Sequence, residues 1–346
     1  MSAELAKKLN AGVAIPAHPL ALDQNNKLDA TAQRALTRYY LDAGAHGLAV
    51  GVHTTQFELH NDRAMLTEVW QLAADTAQDH GASPILVAGL TGDLPDAVAE
   101  AEIAAGLGYH AALISPWGMS DRSEEALLKR AAAVGEVIPV VGFYLQESVG
   151  GAPLSRQFWQ SLFDLESVVG VKAAPFDRYR TNDVAQILLA HDRWDQVALL
   201  TGNDDAIVHD LITPYRRTVA GQQREVRATG GLLGQWAVGT RAAVRQLERA
   251  NAAVAAGSVP VDLLAEASAM VEVNDAVFDV AHNFFGCVPG VNEVLRQQGL
   301  VGTANTLGTD ALSPGQSELI TAVRERFPDL LDEEFIAAHR DSWLNS

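Results

Sequence analysis

The chain reads Val140-Val141-Gly142-Phe143-Tyr144 and, one segment later, Val168-Val169-Gly170-Val171-Lys172. Both runs are apolar almost throughout and lack the polar alternation of a half-exposed strand. Such runs are typical of strands that are buried on both faces, as in a parallel sheet. Runs of this kind recur at regular spacing, at 12–16, 47–51, 84–89, 111–115, 138–144, 168–172, 197–201 and 228–233.

Helical patterns fill the gaps between these runs. One pattern follows Asp29 and stops at Gly44, which are typical start and stop residues of a helix. The predicted helices are 30–43, 63–80, 94–107, 123–134, 156–163, 181–190, 205–215 and 240–256. Eight strands, each followed by a helix, predict an α/β fold of the (β/α)₈ TIM-barrel type over residues 1–258.

The remainder of the chain, 259–346, has no strand signal. It predicts a C-terminal helical extension with helices at 263–284, 290–298, 313–327 and 333–343. The simplest interpretation of this extension is a small helical unit for packing or oligomer contacts.

The composition excludes several classes of function. Lys and Arg number 25 against 43 Asp and Glu, a net charge of −18, so the protein is a poor candidate for binding nucleic acid or anionic membrane. The single cysteine, Cys287, excludes an internal disulfide and a multi-cysteine zinc site. We find no secretory signal or membrane span, so a cytoplasmic protein is expected. Gly-rich nucleotide motifs are absent as well, so no cofactor is expected.

Lys172 is the strongest candidate for a catalytic residue. Barrel active sites lie where the strands end, and Lys172 alone among the lysines closes a buried apolar strand. Alternation places it on one face with Val168 and Gly170, and the glycine is expected to leave open space beside the ammonium. A desolvated lysine has a depressed pKa and can form a Schiff base with a carbonyl. The alternative is a lysine that reaches the rim of the barrel or pairs with a carboxylate.

Tyr144 ends the preceding strand. By the same alternation it shares a face with Gly142, and neighbouring strands that end together would bring its hydroxyl close to the Lys172 amine. A phenol beside an imine nitrogen suits a proton shuttle. The alternative is a tyrosine that only packs at the rim of the core.

These residues, in this order, resemble the dihydrodipicolinate synthase and N-acetylneuraminate lyase family of class I aldolases, over about 12 to 300. The run that ends at Lys172 is similar to the family's lysine strand, and Phe143-Tyr144 is similar to its tyrosine strand end. Segments 201–205 and 230–234 are similar to its seventh and eighth strand ends. The resemblance implies a barrel, a Schiff-base lysine, a catalytic tyrosine, a 2-oxo acid substrate such as pyruvate, and a homotetramer or homodimer.

Further residues at predicted strand ends are candidates for substrate binding: His18, His53, Thr54, Thr55, Gln146, Asn203 and Gly231. The Thr54 and Thr55 hydroxyls suit a carboxylate, or alternatively cap the next helix. Asn203 is alternatively a helix cap. The two histidines contact substrate, form structural hydrogen bonds, or bind a metal.

Several positions depart from the family's pattern. Val52 stands where a relay threonine is expected, and Trp117 and Gly118 replace paired tyrosines. No arginine follows Tyr144 at the expected place. The sequence therefore predicts a carbon–carbon or carbon–oxygen lyase, an aldolase or dehydratase with an imine on Lys172, that is not a true dihydrodipicolinate synthase. The changes suggest a substrate with a bulkier or less charged tail than aspartate semialdehyde.

Two rival functions stay open at this point. One is a metal-dependent barrel lyase or hydrolase that uses His18 and His53. The other is a catalytically dead barrel that binds a ligand.

Overall fold

The fold is a barrel of parallel strands surrounded by helices, in a computed structural model that describes residues 2–345. Eight strands form one sheet in the order β1-β10-β7-β6-β5-β4-β3-β2. A bridge between Ala17 and Ala49 joins the first and last strands of that order, and the His18 N–H donates to the Ala49 carbonyl at 2.8 Å. The predicted (β/α)₈ barrel is confirmed.

The strands follow the predicted runs closely. They are β1 (Ala14–Pro16), β2 (Gly47–Val50), β3 (Ile85–Leu90), β4 (Ala111–Ile114), β5 (Val140–Leu145), β6 (Val168–Ala174), β7 (Ala198–Thr201), β8 (Tyr215–Val219), β9 (Gln222–Val226) and β10 (Gly230–Leu233).

The helices alternate with these strands and continue beyond them. They are α1 (Ser2–Asn10), α2 (Ala30–Asp42), α3 (Arg63–His80), α4 (Leu94–Gly106), α5 (Glu124–Gly135), α6 (Arg156–Asp164), α7 (Arg178–Ala190), α8 (Ile207–Ile212), α9 (Thr240–Ala256), α10 (Val261–Phe278), α11 (Cys287–Gln297), α12 (Gln316–Arg326) and α13 (Glu333–Leu344). Within residues 2–345 no helix is long and apolar enough to cross a membrane.

Local side-chain contacts explain where many helices begin. Asp29, Asp62, Ser123, Ser155 and Asp177 each accept a hydrogen bond from a backbone N–H in the first turn of the helix that follows. A side-chain oxygen at this position satisfies a donor that has no partner within the helix.

Two elements were not predicted. One is the antiparallel hairpin of β8 and β9, whose strands are rich in charged residues and therefore lack an apolar pattern. Its turn is Ala220-Gly221, and both residues have positive φ. The hairpin occupies the end of the predicted helix 205–215, so α8 is shorter than expected.

The other is α1, which closes the N-terminal end of the barrel. Its Leu5 and Leu9 side chains are buried in the barrel interior with Val169 and Ala198. A Cβ on Gly170 would lie 3.6 Å from Leu9 Cδ1. The expectation that Gly170 leaves open space beside the Lys172 ammonium is therefore wrong, because α1 fills that space from the opposite end of the barrel.

Candidate active site

Lys172 points into the interior of the barrel near its C-terminal end. It lies in β6, two residues before the end of the strand, and only 8% of it is exposed. It lines a cavity of about 50 Å³ together with side chains from β5, from the strand-end loops and from the C-terminal extension.

Gly202 makes room for the lysine side chain. A Cβ at this position would overlap Lys172 Cε and would lie 2.7 Å from the Cβ of Ala174. The Gly202 N–H also donates to the Ala173 carbonyl at 2.7 Å, which ties this loop to the end of β6. The space that the sequence analysis assigned to Gly170 is therefore supplied by Gly202, on the neighbouring strand end.

The register of β5 against β6 decides which side chain faces Lys172. Val140 pairs with Val168, but the next pair is Val141 with Gly170, so Val169 is an extra residue, as in a β-bulge. Beyond this irregularity Phe143 pairs with Lys172. The Lys172 Nζ lies 4.5 Å from the centroid of the Phe143 ring, within the range of a cation–π contact.

Tyr144 consequently points away from the barrel interior. Its ring packs against Trp159 of α6 with 5.2 Å between centroids, and its hydroxyl accepts a hydrogen bond from the Leu154 N–H at 3.5 Å. On the same side of β5, a Cβ on Gly142 would meet the Leu162 side chain of α6 at 2.7 Å. The prediction that the Tyr144 hydroxyl lies beside the Lys172 amine is wrong, because one extra residue in β6 shifts the pairing by one position.

Burial shifts the proton affinities of the groups that line the cavity. It lowers the pKa of Lys172 to about 8, against a smaller opposing effect of Asp204. It raises the pKa of Asp204 to about 7. For His53, burial and the Lys172 charge lower the pKa to about 4. Near neutral pH the cavity therefore contains a lysine that gives up its proton readily, a carboxyl group that retains part of its own, and a neutral imidazole.

The loop after β2 brings two of the three predicted residues to the cavity. His53 and Thr54 line it. Thr55 does not, because its hydroxyl accepts the Gly51 and Val52 N–H groups at 2.9 and 3.2 Å and donates to the His18 carbonyl at 2.6 Å. Thr55 thus holds the loop in place, while the imidazole ring of His53 has no hydrogen-bonding partner among residues 2–345.

His18 lies outside the cavity. It is fully buried, with Nδ1 against the Pro19 carbonyl at 2.8 Å and the Gln33 amide at 3.0 Å. Its Nε2 lies 2.9 Å from the Thr37 hydroxyl. Both ring nitrogens therefore have protein partners, which agrees with the alternative that His18 forms structural hydrogen bonds. Across residues 2–345 no group of three or more His, Cys, Asp or Glu side chains is arranged to hold a metal ion.

Of the three remaining predicted site residues, one lines the cavity and two have structural contacts instead. Gln146 lines the cavity. The Asn203 side-chain amide donates to Thr181 and Asp210 and its carbonyl accepts the Phe176 N–H, so Asn203 braces the strand ends. Gly231 is packed tightly, since a Cβ there would lie 2.9 Å from the Trp236 ring.

The C-terminal extension forms the roof of the cavity. Phe278, Phe284 and Cys287 line it, and Phe284 also lines two larger cavities of about 430 and 540 Å³ on either side. The Phe284 ring contacts Phe176 edge-on at 5.8 Å, and its φ of 66° is rare for so large a side chain. The lysine cavity and these two vestibules therefore share Phe284 as a wall.

The vestibules differ in chemical character. The 430 Å³ vestibule has Phe57 and Trp117 stacked at 5.8 Å beside His53. The 540 Å³ vestibule contains Arg180, which forms ion pairs with Glu147 and Asp177. This guanidinium is thus already neutralised by carboxylates of the rim.

Comparison with known proteins identifies the architecture. No protein-family sequence model matches the chain, and no curated protein matches it in sequence. Among solved structures, dihydrodipicolinate synthase from Oceanobacillus iheyensis superposes with a TM-score of 0.75 at 17% identity, covering 95% of this chain and 99% of that one. N-acetylneuraminate lyase from Fusobacterium nucleatum gives 0.72 at 15% identity, covering 92% and 99%.

This is the dihydrodipicolinate synthase fold. A third structure with this fold is the chloride-inhibited dihydrodipicolinate synthase from Acinetobacter baumannii, solved as a complex with pyruvate. It superposes with a TM-score of 0.73 at 16% identity and covers 91% of this chain and 98% of its own. The covered share of this chain exceeds the length of the barrel, so the similarity continues into the C-terminal helices.

Sequence reasoning missed several residues of this site, among them Phe143, Gly202, Asp204 and Phe284. Phe143 was passed over because the irregularity in β6 leaves no sign in the apolar pattern. A glycine directly after a predicted strand was the available signal for Gly202. Phe284 comes from the extension, which has no sequence feature that connects it to the barrel.

Proposed function

We propose that the protein is a class I lyase that binds a 2-oxo acid as an imine on Lys172. The observation that carries the proposal is the buried Lys172 amine, whose pKa is lowered to about 8 by burial, in a cavity at the C-terminal end of the barrel. Proteins that share the fold are named as synthases and lyases, and three of the similar structures were solved with pyruvate. Active sites of such barrels lie at this end.

The lysine chemistry follows from its environment. A neutral amine attacks the C2 carbonyl of a 2-oxo acid, and loss of water leaves an iminium ion that accepts electrons from the adjacent carbon. When the bond made or broken joins that adjacent carbon to another carbon, the reaction is an aldol reaction. When a hydroxyl group leaves from the substrate, the reaction is a dehydration. The choice between these depends on the second substrate or leaving group.

The substrate carboxylate needs donors across the cavity from the imine. We assign this role to the Thr54 hydroxyl and to His53, which lie on the loop after β2, opposite β6 in the barrel. Gln146, on the loop after β5, supplies a further amide. Thr55 supports them by holding their loop to the end of β1 through the His18 carbonyl.

In this proposal, the part of the substrate beyond the 2-oxo acid group is apolar or planar. The vestibule next to His53 has a stacked Phe57 and Trp117, and the Arg180 guanidinium in the other vestibule is already paired with carboxylates. A second carboxylate would therefore find no free cation. Aromatic aldehydes should serve as partners of pyruvate better than aspartate semialdehyde does.

Borohydride trapping tests the proposal. Incubation with pyruvate and borohydride should add one reduced adduct per chain, located on Lys172 by peptide mass mapping. Lys172→Arg should lose the adduct, whereas Lys129→Arg, on an exposed helix position, should retain it. An adduct at another lysine, or none with any 2-oxo acid, would contradict an imine mechanism.

A second candidate function is a barrel that captures a 2-oxo acid without turning it over. It is favoured by Phe143, which has no ionisable group at the position that faces Lys172. The two candidates differ in one measurement. A catalytic lyase cleaves or forms a bond after the adduct forms, whereas the binding protein yields the trapped adduct and no product with any aldehyde.

A further inference from the structure

Imine formation requires proton transfer, and the position opposite Lys172 cannot supply it. Phe143 pairs with Lys172 in the sheet, and the only nearby phenol, Tyr144, faces α6. If the proposed function is correct, another group in the cavity exchanges protons with the nitrogen of Lys172. General acid–base groups must lie within reach of the reacting atoms, so the candidates are the titratable groups that line the same cavity.

The loop after β7 places a carboxyl group next to the lysine. Gly202 touches the stem of Lys172, and its N–H is bonded to the end of β6. Asp204, two residues further along, lines the cavity and is 9% exposed. Because β7 is the direct neighbour of β6, this carboxyl group and the amine approach the cavity from adjacent strands.

Asp204 is held firmly and keeps one oxygen free. Its Oδ1 accepts the Gln235 N–H at 2.9 Å, and its main-chain carbonyl accepts the Asn274 side-chain amide at 2.7 Å. Within residues 2–345 its Oδ2 has no hydrogen-bonding partner, and no arginine or histidine forms an ion pair with it. A fixed carboxyl group with one unpartnered oxygen, in the cavity that Lys172 also lines, is arranged for proton transfer to a bound substrate rather than for structural support.

We propose that Asp204 is a catalytic acid–base residue, and that it carries the proton in imine formation on Lys172. This inference rests on the proposed function and adds a residue to it.

The step is balanced in atoms and charge. The neutral Lys172 amine adds to C2 of the 2-oxo acid, and one nitrogen proton moves to the former carbonyl oxygen, which gives a carbinolamine. Protonated Asp204 then donates its proton to this hydroxyl, the C–O bond breaks, and water leaves. The nitrogen lone pair forms the C=N bond, so the products are an iminium ion, water and the Asp204 carboxylate.

The charges around Asp204 agree with this role. The groups that face it are Lys172 of β6, Asp205 of its own loop and the Cys287 thiol of α11. Burial raises the pKa of Asp204 to about 7 and also raises the pKa of the Cys287 thiol, which therefore stays protonated and uncharged. A donor is most effective when its pKa is close to the working pH.

His53 is the competing candidate and fits less well. It follows β2, which lies opposite β6 in the barrel, so it approaches from the far side of the cavity. Burial lowers its pKa to about 4, so near neutral pH the imidazole is uncharged and is too weak an acid to protonate the departing hydroxyl. His53 remains suited to the substrate carboxylate as a neutral hydrogen-bonding group.

The test follows the rate of imine formation with pyruvate, by quenching with borohydride at successive times and measuring the adduct by mass spectrometry. Asp204→Asn retains the shape of the side chain and an oxygen for the Gln235 N–H. We expect it to slow adduct formation by roughly 10²–10⁴-fold, the usual contribution of a positioned acid–base group. Asp204→Ala should regain part of the rate when formate is added, because the small acid replaces the missing carboxyl group.

Two control variants distinguish this role from a nonspecific effect of substitution on the structure. Asp195→Asn removes an exposed carboxylate that precedes β7 and does not line the cavity, and Tyr144→Phe removes the phenol that faces α6. Both should form the adduct at the wild-type rate. Thermal unfolding and circular dichroism establish that each variant is folded.

The pH profile of the wild-type rate provides a test that needs no variant. The reactive form has a neutral Lys172 amine and a protonated Asp204, so one proton is bound by the pair. The rate should therefore rise and then fall as the pH increases, with a maximum between about pH 7 and pH 8. Asp204→Asn should lose the limb that falls with rising pH. An unchanged rate in Asp204→Asn, or a wild-type profile without that limb, would overturn the role of Asp204 while leaving the imine intact. Absence of any adduct in the wild type would instead remove the proposed function, and with it this inference.

Discussion

The Lys172 side chain loses most of its hydration inside the barrel, and its environment offers little compensation. Its nitrogen lies over the Phe143 ring, and within residues 2–345 no carboxylate approaches closely enough to form an ion pair with it. The charged form is therefore disfavoured, which lowers the pKa to about 8. The same burial that lowers the pKa of the amine also costs stability.

Lys172→Met tests this cost. The pKa of Lys172 is 10.5 in its ordinary state and about 8 in the folded protein, so between these values the unfolded chain binds more protons. The free energy of unfolding should therefore rise with pH across that interval, and the full penalty applies below pH 8. We expect Lys172→Met to raise the free energy of unfolding at pH 7 by an amount on the order of 2–3 kcal/mol, with a smaller gain at pH 10.

Urea unfolding at the two pH values measures the effect. Lys129→Met, at an exposed position, is the control and should change little at either pH. An equal effect of Lys172→Met at pH 7 and pH 10 would show that the pKa of Lys172 is not depressed in the folded protein.

At the scale of single elements, the extra residue in β6 has the largest consequence for the site. The runs that end at Tyr144 and Lys172 have the same length, so pairing without an extra residue would place the tyrosine beside the lysine. Val169 interrupts that pairing and turns Phe143 inward. A shift of one position exchanges the two faces of a strand.

Gly202→Ala tests how the loop after β7 positions the lysine. The added Cβ would overlap Lys172 Cε, so the side chain has to move away from the cavity. We expect a loss of about 1–3 kcal/mol in the free energy of unfolding and slower trapping of pyruvate. Gly106→Ala is the control, because nothing lies within 4 Å of the added Cβ.

Chemical denaturation and the borohydride assay measure the two effects of Gly202→Ala. A variant that traps pyruvate at the wild-type rate would show that the Lys172 stem does not depend on this glycine.

At the scale of the whole molecule, the C-terminal extension contacts the barrel both near its first helix, α10, and just before its last helix, α13. Phe278 and Phe284 cover the lysine cavity. Farther along, Asp332 accepts hydrogen bonds from the Tyr39 hydroxyl and from the Arg241 and Ala242 N–H groups, and so caps α9 from a distant part of the chain. The predicted helical nature of 259–346 agrees with α10–α13, but these helices complete the site as well as packing on the barrel. The homodimer or homotetramer implied by the resemblance stays a prediction.

Asp332→Ala tests this connection. Asp332 is 4% exposed, and its removal leaves two buried donors and one partly buried donor without this acceptor. We expect the free energy of unfolding to fall by roughly 2–4 kcal/mol. Asp329→Ala, an exposed carboxylate in the same segment, should have little effect.

Thermal and urea unfolding of both variants measure this difference. Equal stabilities of Asp332→Ala and Asp329→Ala would mean that the extension is held mainly by its apolar contacts.

The amino-acid sequence by itself determined the barrel, the helical extension and the choice of Lys172. Strand runs, helix caps and one lysine in apolar surroundings are local features, and local patterns survive in the primary structure. The tertiary structure alone decided which side chains meet that lysine. Phe143 lies beside it because of an extra residue in β6. Asp204 and Phe284 line the same cavity because the loop after β7 and a distant segment of the chain reach it. Pairing register and long-range packing depend on residues far apart in the chain, so no single stretch encodes them.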